Sequence, residues 1–111
     1  MKFCLFINAT DKWPESVQHA LSLAHSITAN NHTINTVFFY GDAVKVIENE
    51  ELVKQWQLWQ QNTQTKLQLC STFVETHLLT SSTQQIKGFE VVSLGSWMQA
   101  VETADKMVEL K

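Results

Sequence analysis

The sequence predicts a single α/β domain over residues 1–111, a three-layer α/β/α sandwich with a mostly parallel five-stranded sheet. Short apolar runs typical of strands alternate about five times with stretches of helical periodicity. The first run, Phe3–Ile7, is apolar at every position, which indicates a central strand covered on both faces. A chain of 111 residues is long enough to bury one core without disulfides or metals.

The first third of the chain predicts a strand, a helix and a second strand. After Phe3–Ile7, the polar segment 8–12 is expected to be a loop, and Pro14 suits the first turn of a helix. Asn30 and Asn31 end this helix, because Asn tolerates the left-handed conformation. Ile34–Tyr40 is the second strand. The helix has one apolar stripe, formed by Val17, Ala20, Leu21, Ala24 and Ile27.

The middle of the chain predicts two helical segments and the third strand. Gly41 breaks the second strand, and residues 43–47 favour a short helical piece. A longer helix is expected from about Glu50 to Asn62, with Leu52, Trp56 and Trp59 on one face. Lys66–Cys70 follows as the third strand, and the helix behind it is predicted to end near Leu79.

The last third predicts a linker, two strands and a helix. Thr80–Gln85 is a polar linker and the expected mobile loop, and Phe89–Val92 is the fourth strand. Gly95 opens the last helix, and Lys106–Leu110 is a short fifth strand. We predict a flavodoxin-like arrangement of these elements.

Cys70 is the candidate functional residue. It ends a predicted strand, and Thr72 and Glu75 have the spacing of a capping box that starts the next helix. Free N–H groups and the positive end of the helix dipole at such a start favour a thiolate over a thiol. Reactive groups in parallel sheets also collect at the carboxyl ends of strands. The alternative is a small buried hydrophobe, as most free cysteines are.

The other thiol and the histidines suggest no further chemistry. Cys4 lies inside the first strand and is predicted to be structural, and a Cys4–Cys70 disulfide is not expected because the two lie at different heights in the sheet. His77 follows Cys70 by two helical turns, about 10 Å, which is too far for a direct base. No metal site is predicted, because zinc-ligand spacings are absent from the set His19, His25, His32 and His77.

Several classes of function are disfavoured. The loop at residues 8–13 lacks the glycines of a dinucleotide or phosphate loop, so no cofactor is expected. The net charge is −3 with eight lysines and no arginine, which argues against direct binding of nucleic acid. We expect no membrane span and no signal peptide, and a cytoplasmic, reducing location.

The four tryptophans divide into two pairs in the prediction. Trp56 and Trp97 fall on the apolar faces of helices and are expected in the core. Trp13 and Trp59 are expected at the surface or at subunit contacts, where aromatic residues are enriched.

Four stretches of the chain resemble the DsrE/TusD family of sulfur-relay proteins. Residues Val37–Tyr40 resemble the second strand of that family. Leu52–Gln57 and then Leu67–Cys70 resemble the helix and the strand that lead to its active cysteine, and Gly88–Gly95 resembles a segment near its C-terminus. The resemblance implies a parallel sheet with flanking helices and a persulfide carried on Cys70.

The resemblance also implies partners. Members of the family form rings of related subunits, often a heterohexamer of TusB, TusC and TusD types. A TusA-like donor supplies the sulfur and a TusE- or DsrC-like acceptor takes it. The end use is 2-thiolation of the tRNA wobble uridine or the oxidation of sulfur. We therefore predict a TusD-like persulfide carrier that assembles with TusB- and TusC-like subunits or with itself.

Two other hypotheses stay open. The loop after the first strand lacks the family's glycines, Gln64 stands where a glycine is common, and Thr80–Gln85 is shorter than in TusD. These departures favour a non-catalytic assembly subunit or a stand-alone oligomer. A third hypothesis is a small-ligand module that uses a cleft near Asn8, Thr10 and Cys70.

Overall fold

Strands and helices alternate along the chain in the computed structural model, which describes residues 1–77 and 86–111. The order is β1 (Lys2–Ala9), α1 (Trp13–Ala29), β2 (Thr33–Gly41), a 3-10 helix (Asp42–Glu48), α2 (Glu50–Thr63), β3 (Lys66–Cys70), α3 (Ser71–His77), β4 (Phe89–Val92), α4 (Leu94–Thr103) and β5 (Lys106–Leu110). The predicted linker at Thr80–Gln85 and the predicted helix end at Leu79 lie outside the described residues.

The strands form one sheet in the order β4-β3-β2-β1-β5, and every neighbouring pair is parallel. β1 to β4 follow one another across the sheet, and the connection through α4 returns the chain to the far side of β1. The buried side chains of α1, the 3-10 helix and α2 share one core with one face of the sheet, whereas α4 covers the other face. The predicted three-layer α/β/α fold is confirmed.

The larger core lies on the face that α1 and α2 cover. Parallel pairing places Leu5 beside Val37 and Val37 beside Leu67, and the next row has Phe39 beside Leu69. These strand residues are buried with the apolar stripe of α1, which is the stripe predicted from its spacing. Burial of apolar surface on this face is the main contribution to stability.

The smaller core lies on the opposite face, beneath the ten residues of α4. Alternation along the strands sends Phe6, Phe38 and Cys70 to this side. Trp97 of α4 stacks on Phe38 with ring centroids 5.2 Å apart and an angle of 10° between planes. Its ring also lies 5.5 Å from that of Phe6. Among the described residues, α4 covers this face chiefly through one tryptophan.

Two predictions of local structure were wrong. Asn8 and Ala9 belong to β1 rather than to a loop, because they continue the parallel ladder beside Tyr40 and Gly41. Trp59 is only 3% exposed, whereas the prediction places it at the surface or at a subunit contact. Its indole Nε1 donates to Thr28 Oγ1 of α1 over 3.4 Å, so this side chain joins the two helices.

Left-handed residues end both long helices. Asn31, just past α1, has φ 67°, as predicted from its tolerance of this conformation. Gln64, which caps the carboxyl end of α2, has φ 58° and is therefore in a conformation that glycine adopts at lower cost. This geometry explains why a glycine would suit the position of Gln64.

Gly41 allows the chain to turn from β2 into the 3-10 helix. Its φ is 64°, and a Cβ atom there would lie 2.6 Å from the carbonyl oxygen of Ala9. Any other residue would be strained in both respects. The turn places Asp42 at the carboxyl edge of the sheet, where β3 also ends.

Candidate functional site

Cys70 is the last residue of β3 and lies directly before Ser71, the first residue of α3. The prediction that it occupies the carboxyl end of a strand before a helix is therefore confirmed. Its thiol is free but only 3% exposed. It belongs to the smaller core, with Cys4, Phe38 and Trp97.

Two helices begin close to Cys70. α3 begins at the next residue, and the register of β3 with β4 pairs Cys70 with Val92, two residues before α4 begins. The first turns of both helices have N–H groups without partners inside the helix. The Oγ of Ser93 accepts one of them, from Ser96 of α4, over 3.4 Å. The local field at this edge of the sheet therefore favours negative charge.

The predicted capping box of Thr72 and Glu75 is wrong. α3 begins at Ser71, so Thr72 lies inside the helix, and Cys70 occupies the position before it. The carbonyl oxygen of Thr72 accepts a hydrogen bond from Thr76 Oγ1 over 3.1 Å. Cys70 is consequently closer to the start of the helix than the capping-box spacing implied.

Aromatic rings enclose the core around Cys70 at the carboxyl edge. Phe73, three residues after Cys70, is half-buried and packs against the cluster that contains the thiol. Its ring meets that of Tyr40 edge-on, with centroids 4.6 Å apart. On its other side it meets the ring of His77 at 5.0 Å, with the planes 85° apart. Phe73 is thus held between two rings.

A polar group adjoins these rings. Asp42 Oδ1 lies 3.2 Å from His77 Nε2 and 3.7 Å from Lys45 Nζ. The other ring nitrogen of His77, Nδ1, lies 2.7 Å from Thr76 Oγ1. Both nitrogens are therefore occupied by neighbours other than Cys70, which agrees with the prediction that His77 is not its base.

Cys4 has the location and the protonation state of a structural thiol. It is 0% exposed and lies in β1, with β2 between it and Cys70. Burial raises the pKa of Cys4 to about 11, because the apolar surroundings disfavour the thiolate. A thiol that stays protonated and covered is a poor nucleophile.

Gln68 is a buried polar residue on the same strand and the same face as Cys70. Its Nε2 donates to Glu90 Oε1 of β4 over 2.9 Å. Its Oε1 finds no donor among residues 1–77 and 86–111. No sequence pattern indicates this pair, because Gln68 stands in an otherwise ordinary alternating strand.

The ligand cleft predicted near Asn8, Thr10 and Cys70 is not assembled around the thiol. Asn8 Nδ2 donates to Glu109 Oε2 of β5 over 3.4 Å, and Thr10 Oγ1 donates to Asp11 Oδ1 over 3.3 Å. β2 lies between Asn8 and Cys70. Two open grooves of about 430 and 580 Å³ lie along α1, and Leu21, His25 and Gln55 line both. They are on the face of the sheet that is opposite to Cys70.

The histidines lie at the surface or its boundary, as predicted: His19 and His25 are exposed, and His32 and His77 are half-buried. In the described part of the chain, no three metal-binding side chains come together. Of the helices within residues 1–77 and 86–111, none has the length and apolarity needed to cross a membrane.

Sequence reasoning missed Tyr40 and Phe73, which pack against the core that contains the thiol, and it missed Asp42, which contacts His77. A signal was present for Phe73, which precedes His77 by four residues and therefore shares a helix face with it. Asp42 gave no such signal, since its contact with His77 joins segments 35 residues apart that only the sheet brings together.

Comparisons with known proteins show matches over nearly the whole chain. The DsrE/DsrF-like family matches residues 1–110. The sulfurtransferase TusD of Pectobacterium carotovorum subsp. carotovorum (strain PC1) is 24% identical over 127 aligned positions, which cover 98% of either chain. The sulfurtransferase TusD homolog of Vibrio vulnificus (strain YJ016) is 26% identical and covers 98% of this chain and 97% of its own.

A solved structure supports the fold independently. The crystal structure of the YchN protein from E. coli superimposes with a TM-score of 0.63, over 98% of this chain and 99% of that one. Its sequence is 16% identical, so the likeness concerns the fold alone.

Proposed function

The chain belongs to the DsrE/DsrF-like family, and on that premise we propose that it is a sulfur-relay protein that carries sulfane sulfur as a persulfide on Cys70. The observation that carries the proposal is the position of Cys70 at the carboxyl end of β3, immediately before α3. The TusD sulfurtransferases are similar over nearly the whole chain, which supports the same chemistry.

The alternative thiol is a poor candidate. Cys4 is fully buried and its raised pKa keeps it protonated at neutral pH. Cys70 lies at the edge of the sheet, where two helices begin and where negative charge is favoured. If one cysteine of this chain carries sulfur, these environments favour Cys70.

The proposed transfer is a pair of thiol exchanges without net oxidation. The thiolate of Cys70 attacks the terminal sulfur of a donor persulfide, the donor's S–S bond breaks, and the donor leaves as a thiolate. Cys70 then holds the sulfur as a persulfide. An acceptor thiolate attacks that terminal sulfur, the S–S bond to Cys70 breaks, and the Cys70 thiolate is regenerated. No metal or cofactor is needed for these steps.

The proposal extends to partners of the sulfur-relay type. A TusA-like protein is the donor, a TusE- or DsrC-like protein is the acceptor, and the setting is the cytoplasm. TusB- and TusC-like subunits, or further copies of this chain, complete the assembly. The sulfur is used for 2-thiolation of tRNA or enters sulfur oxidation. The net charge of −3 and the absence of arginine favour transfer to a protein rather than directly to RNA.

Sulfur loading tests the proposal directly. The chain is incubated with a cysteine desulfurase, radiolabelled cysteine and a TusA-like donor, and label on the chain is measured without reductant. We expect Cys70→Ser to lose the label and Cys4→Ser to keep it, because only Cys70 is placed to exchange. Equal labelling of the wild type and Cys70→Ser would contradict the proposal.

A second function is favoured by the low exposure of Cys70. A thiol that is 3% exposed suits an assembly subunit in which the cysteine only fills space. Alkylation of Cys70 as a function of pH distinguishes the two. A midpoint equal to that of a cysteine in an unstructured peptide would favour the assembly subunit, whereas a lower midpoint would favour the carrier.

A further inference from the structure

The burial of Cys70 conflicts with the chemistry proposed for it. Thiol exchange requires that the attacking group reach the sulfur, and the Cys70 side chain is almost entirely covered. Something over Cys70 must therefore move before sulfur can pass. This inference rests on the proposed function, because sulfur transfer is what requires the movement. The movement itself can be measured without any sulfur transfer.

Of the side chains that pack against the cluster containing Cys70, Phe73 has well-defined neighbours. It is half-buried, lies one helical turn after Cys70, and packs against the cluster that contains the thiol. It also packs against the larger core on the other face of the sheet. Phe73 thus lies at the junction of the two cores.

The ring of Phe73 is held from two sides. Tyr40 of β2 contacts it edge-on at 4.6 Å, and His77 contacts it edge-on at 5.0 Å. Edge-to-face geometry is the favourable arrangement of such rings. The ring of His77 is in turn fixed by Asp42 and Thr76, through its two nitrogens.

The elements around α3 are consistent with a hinged segment. α3 has seven residues and packs mainly on the 3-10 helix, with smaller contacts to β2, β3 and β4. Of its residues only Val74 is fully buried. The Asp42–His77 contact therefore ties the carboxyl end of α3 to the element against which it packs.

We propose that Phe73 is a gate over Cys70, that Tyr40 and His77 hold it closed, and that Asp42 is the positioning residue that fixes His77. Outward movement of Phe73 with α3 exposes the sulfur. A docking donor or acceptor protein would favour the open form by binding it, and the isolated chain keeps the sulfur covered.

The rate of alkylation of Cys70 by iodoacetamide measures the gate. Peptide mass spectrometry locates the label in the otherwise unchanged full chain, so neither cysteine has to be replaced. The dependence on pH separates two effects. The plateau at high pH reports access to the sulfur, whereas the midpoint reports the ionisation of the thiol. If Phe73 gates access to Cys70, then variants that weaken the gate should change the alkylation rate at this plateau.

Three variants weaken the gate at different points: Phe73→Ala, His77→Ala and Asp42→Ala. Because an edge-to-face pair contributes a modest free energy, we expect each to raise the plateau rate about 2- to 10-fold. The Asp42→Ala/His77→Ala double variant should not exceed the larger single effect, since both act through one contact. His25→Ala, a histidine exposed on α1, is the matched control and should change nothing.

Cys4 distinguishes the gate from unfolding within the same experiment. It is fully buried in the same core, so only global opening labels it. We expect the variants to label Cys70 faster and to leave Cys4 unlabelled. Parallel labelling of both cysteines, or a plateau rate at Cys70 that no variant changes, would overturn the gate.

Failure of the gate and failure of the carrier function are separable. If the variants speed alkylation but Cys70 takes no label from a donor persulfide, then the proposed function is wrong and the gate stands. If Cys70 takes the label and its plateau rate is the same in all variants, then the gate is wrong and the carrier function stands.

Discussion

The two cysteines show how position decides the chemistry of one residue type. Both lie on the same face of the sheet and in the same core. Cys4 is inside a central strand, whereas Cys70 is the last residue of its strand and precedes a helix. The first environment raises the pKa of the Cys4 thiol by burial, whereas the second places Cys70 at the edge of the sheet where two helices begin.

Because of Cys4, the free energy of unfolding depends on pH in the alkaline range. Its pKa is about 11 in the folded chain against an ordinary value of 9.0, so the unfolded chain loses this proton first. The contribution of Cys4 to the free energy of unfolding is fully present below the ordinary pKa of a cysteine. It is lost as the pH rises toward the pKa of Cys4 in the folded chain, and the total loss is about 2–3 kcal/mol. Urea unfolding at several alkaline pH values measures this loss.

Cys4→Ala is the control for that titration. It removes the linked proton and leaves every other side chain unchanged. The free energy of unfolding of Cys4→Ala should therefore fall less steeply than that of the wild type. Parallel curves for the two proteins would show that Cys4 titrates alike in the folded and unfolded chains.

The placement of Cys70 could be predicted from sequence, but its cover could not. The placement follows from local pattern, because a short alternating strand and a helical periodicity meet at residue 70. The cover depends on Tyr40, Trp97 and Phe73, which belong to three different elements. Only the order of strands brings them together, and no spacing along the chain encodes that order.

At the scale of elements, caps and turns are the main local features that set where a helix begins and ends. Asn49 caps α2 by accepting a hydrogen bond from the Leu52 N–H over 3.0 Å. Gln64 ends the same helix in the left-handed conformation. The amino end of α2 thus has a residue that is favoured at that position. The residue at the carboxyl end, in contrast, is held in an unfavourable backbone conformation.

Gln64→Gly should stabilise the protein by up to about 1 kcal/mol. Glycine adopts the left-handed conformation without steric cost, and this gain exceeds the entropy that it loses on folding. Thermal unfolding of the variant measures the effect as a higher midpoint.

Asn31→Gly is the matched control, since Asn31 has nearly the same φ but is a residue that tolerates it. We expect a smaller change there. An equal gain at both positions, or destabilisation by Gln64→Gly, would show that backbone strain at residue 64 is not the determining factor.

Element types were predictable here, whereas some boundaries and contacts were not. β3, β4 and β5 have the predicted bounds, because polar or turn-forming residues flank each run. β1 runs two residues further than predicted, since its partner strand supplies hydrogen bonds that a local pattern does not reveal. Trp59 was misplaced for a similar reason, because its burial depends on α1.

In the described part of the chain, the two faces of the sheet are unevenly covered. The buried side chains of α1, the 3-10 helix and α2 pack on one face, and ten residues of α4 pack on the other. Leu94 and Met98 are exposed on one side of α4, and Met107 is exposed on β5. This is the face on which Cys70 lies, so an assembly that uses it would bring subunits close to the site.

A charged substitution on this face tests whether the chain associates through it. If the proposed ring forms, Met98→Lys should lower the mass measured by sedimentation, because an interface core disfavours an unpaired charge. Leu58→Lys is the matched control, since Leu58 is 64% exposed on α2, on the other side of the sheet. Equal effects of the two lysines, or none from Met98→Lys, would place the contact elsewhere.

The strand order has a consequence for synthesis. β1 precedes the other strands along the chain and becomes a central strand, but its second neighbour, β5, follows them all. During synthesis one edge of β1 therefore stays open until β5 is made, and Trp97 can pack onto Phe6 and Phe38 only once α4 is made. Most of the larger core can form before then. The smaller core around Cys70 closes last, so the thiol becomes sheltered late in folding.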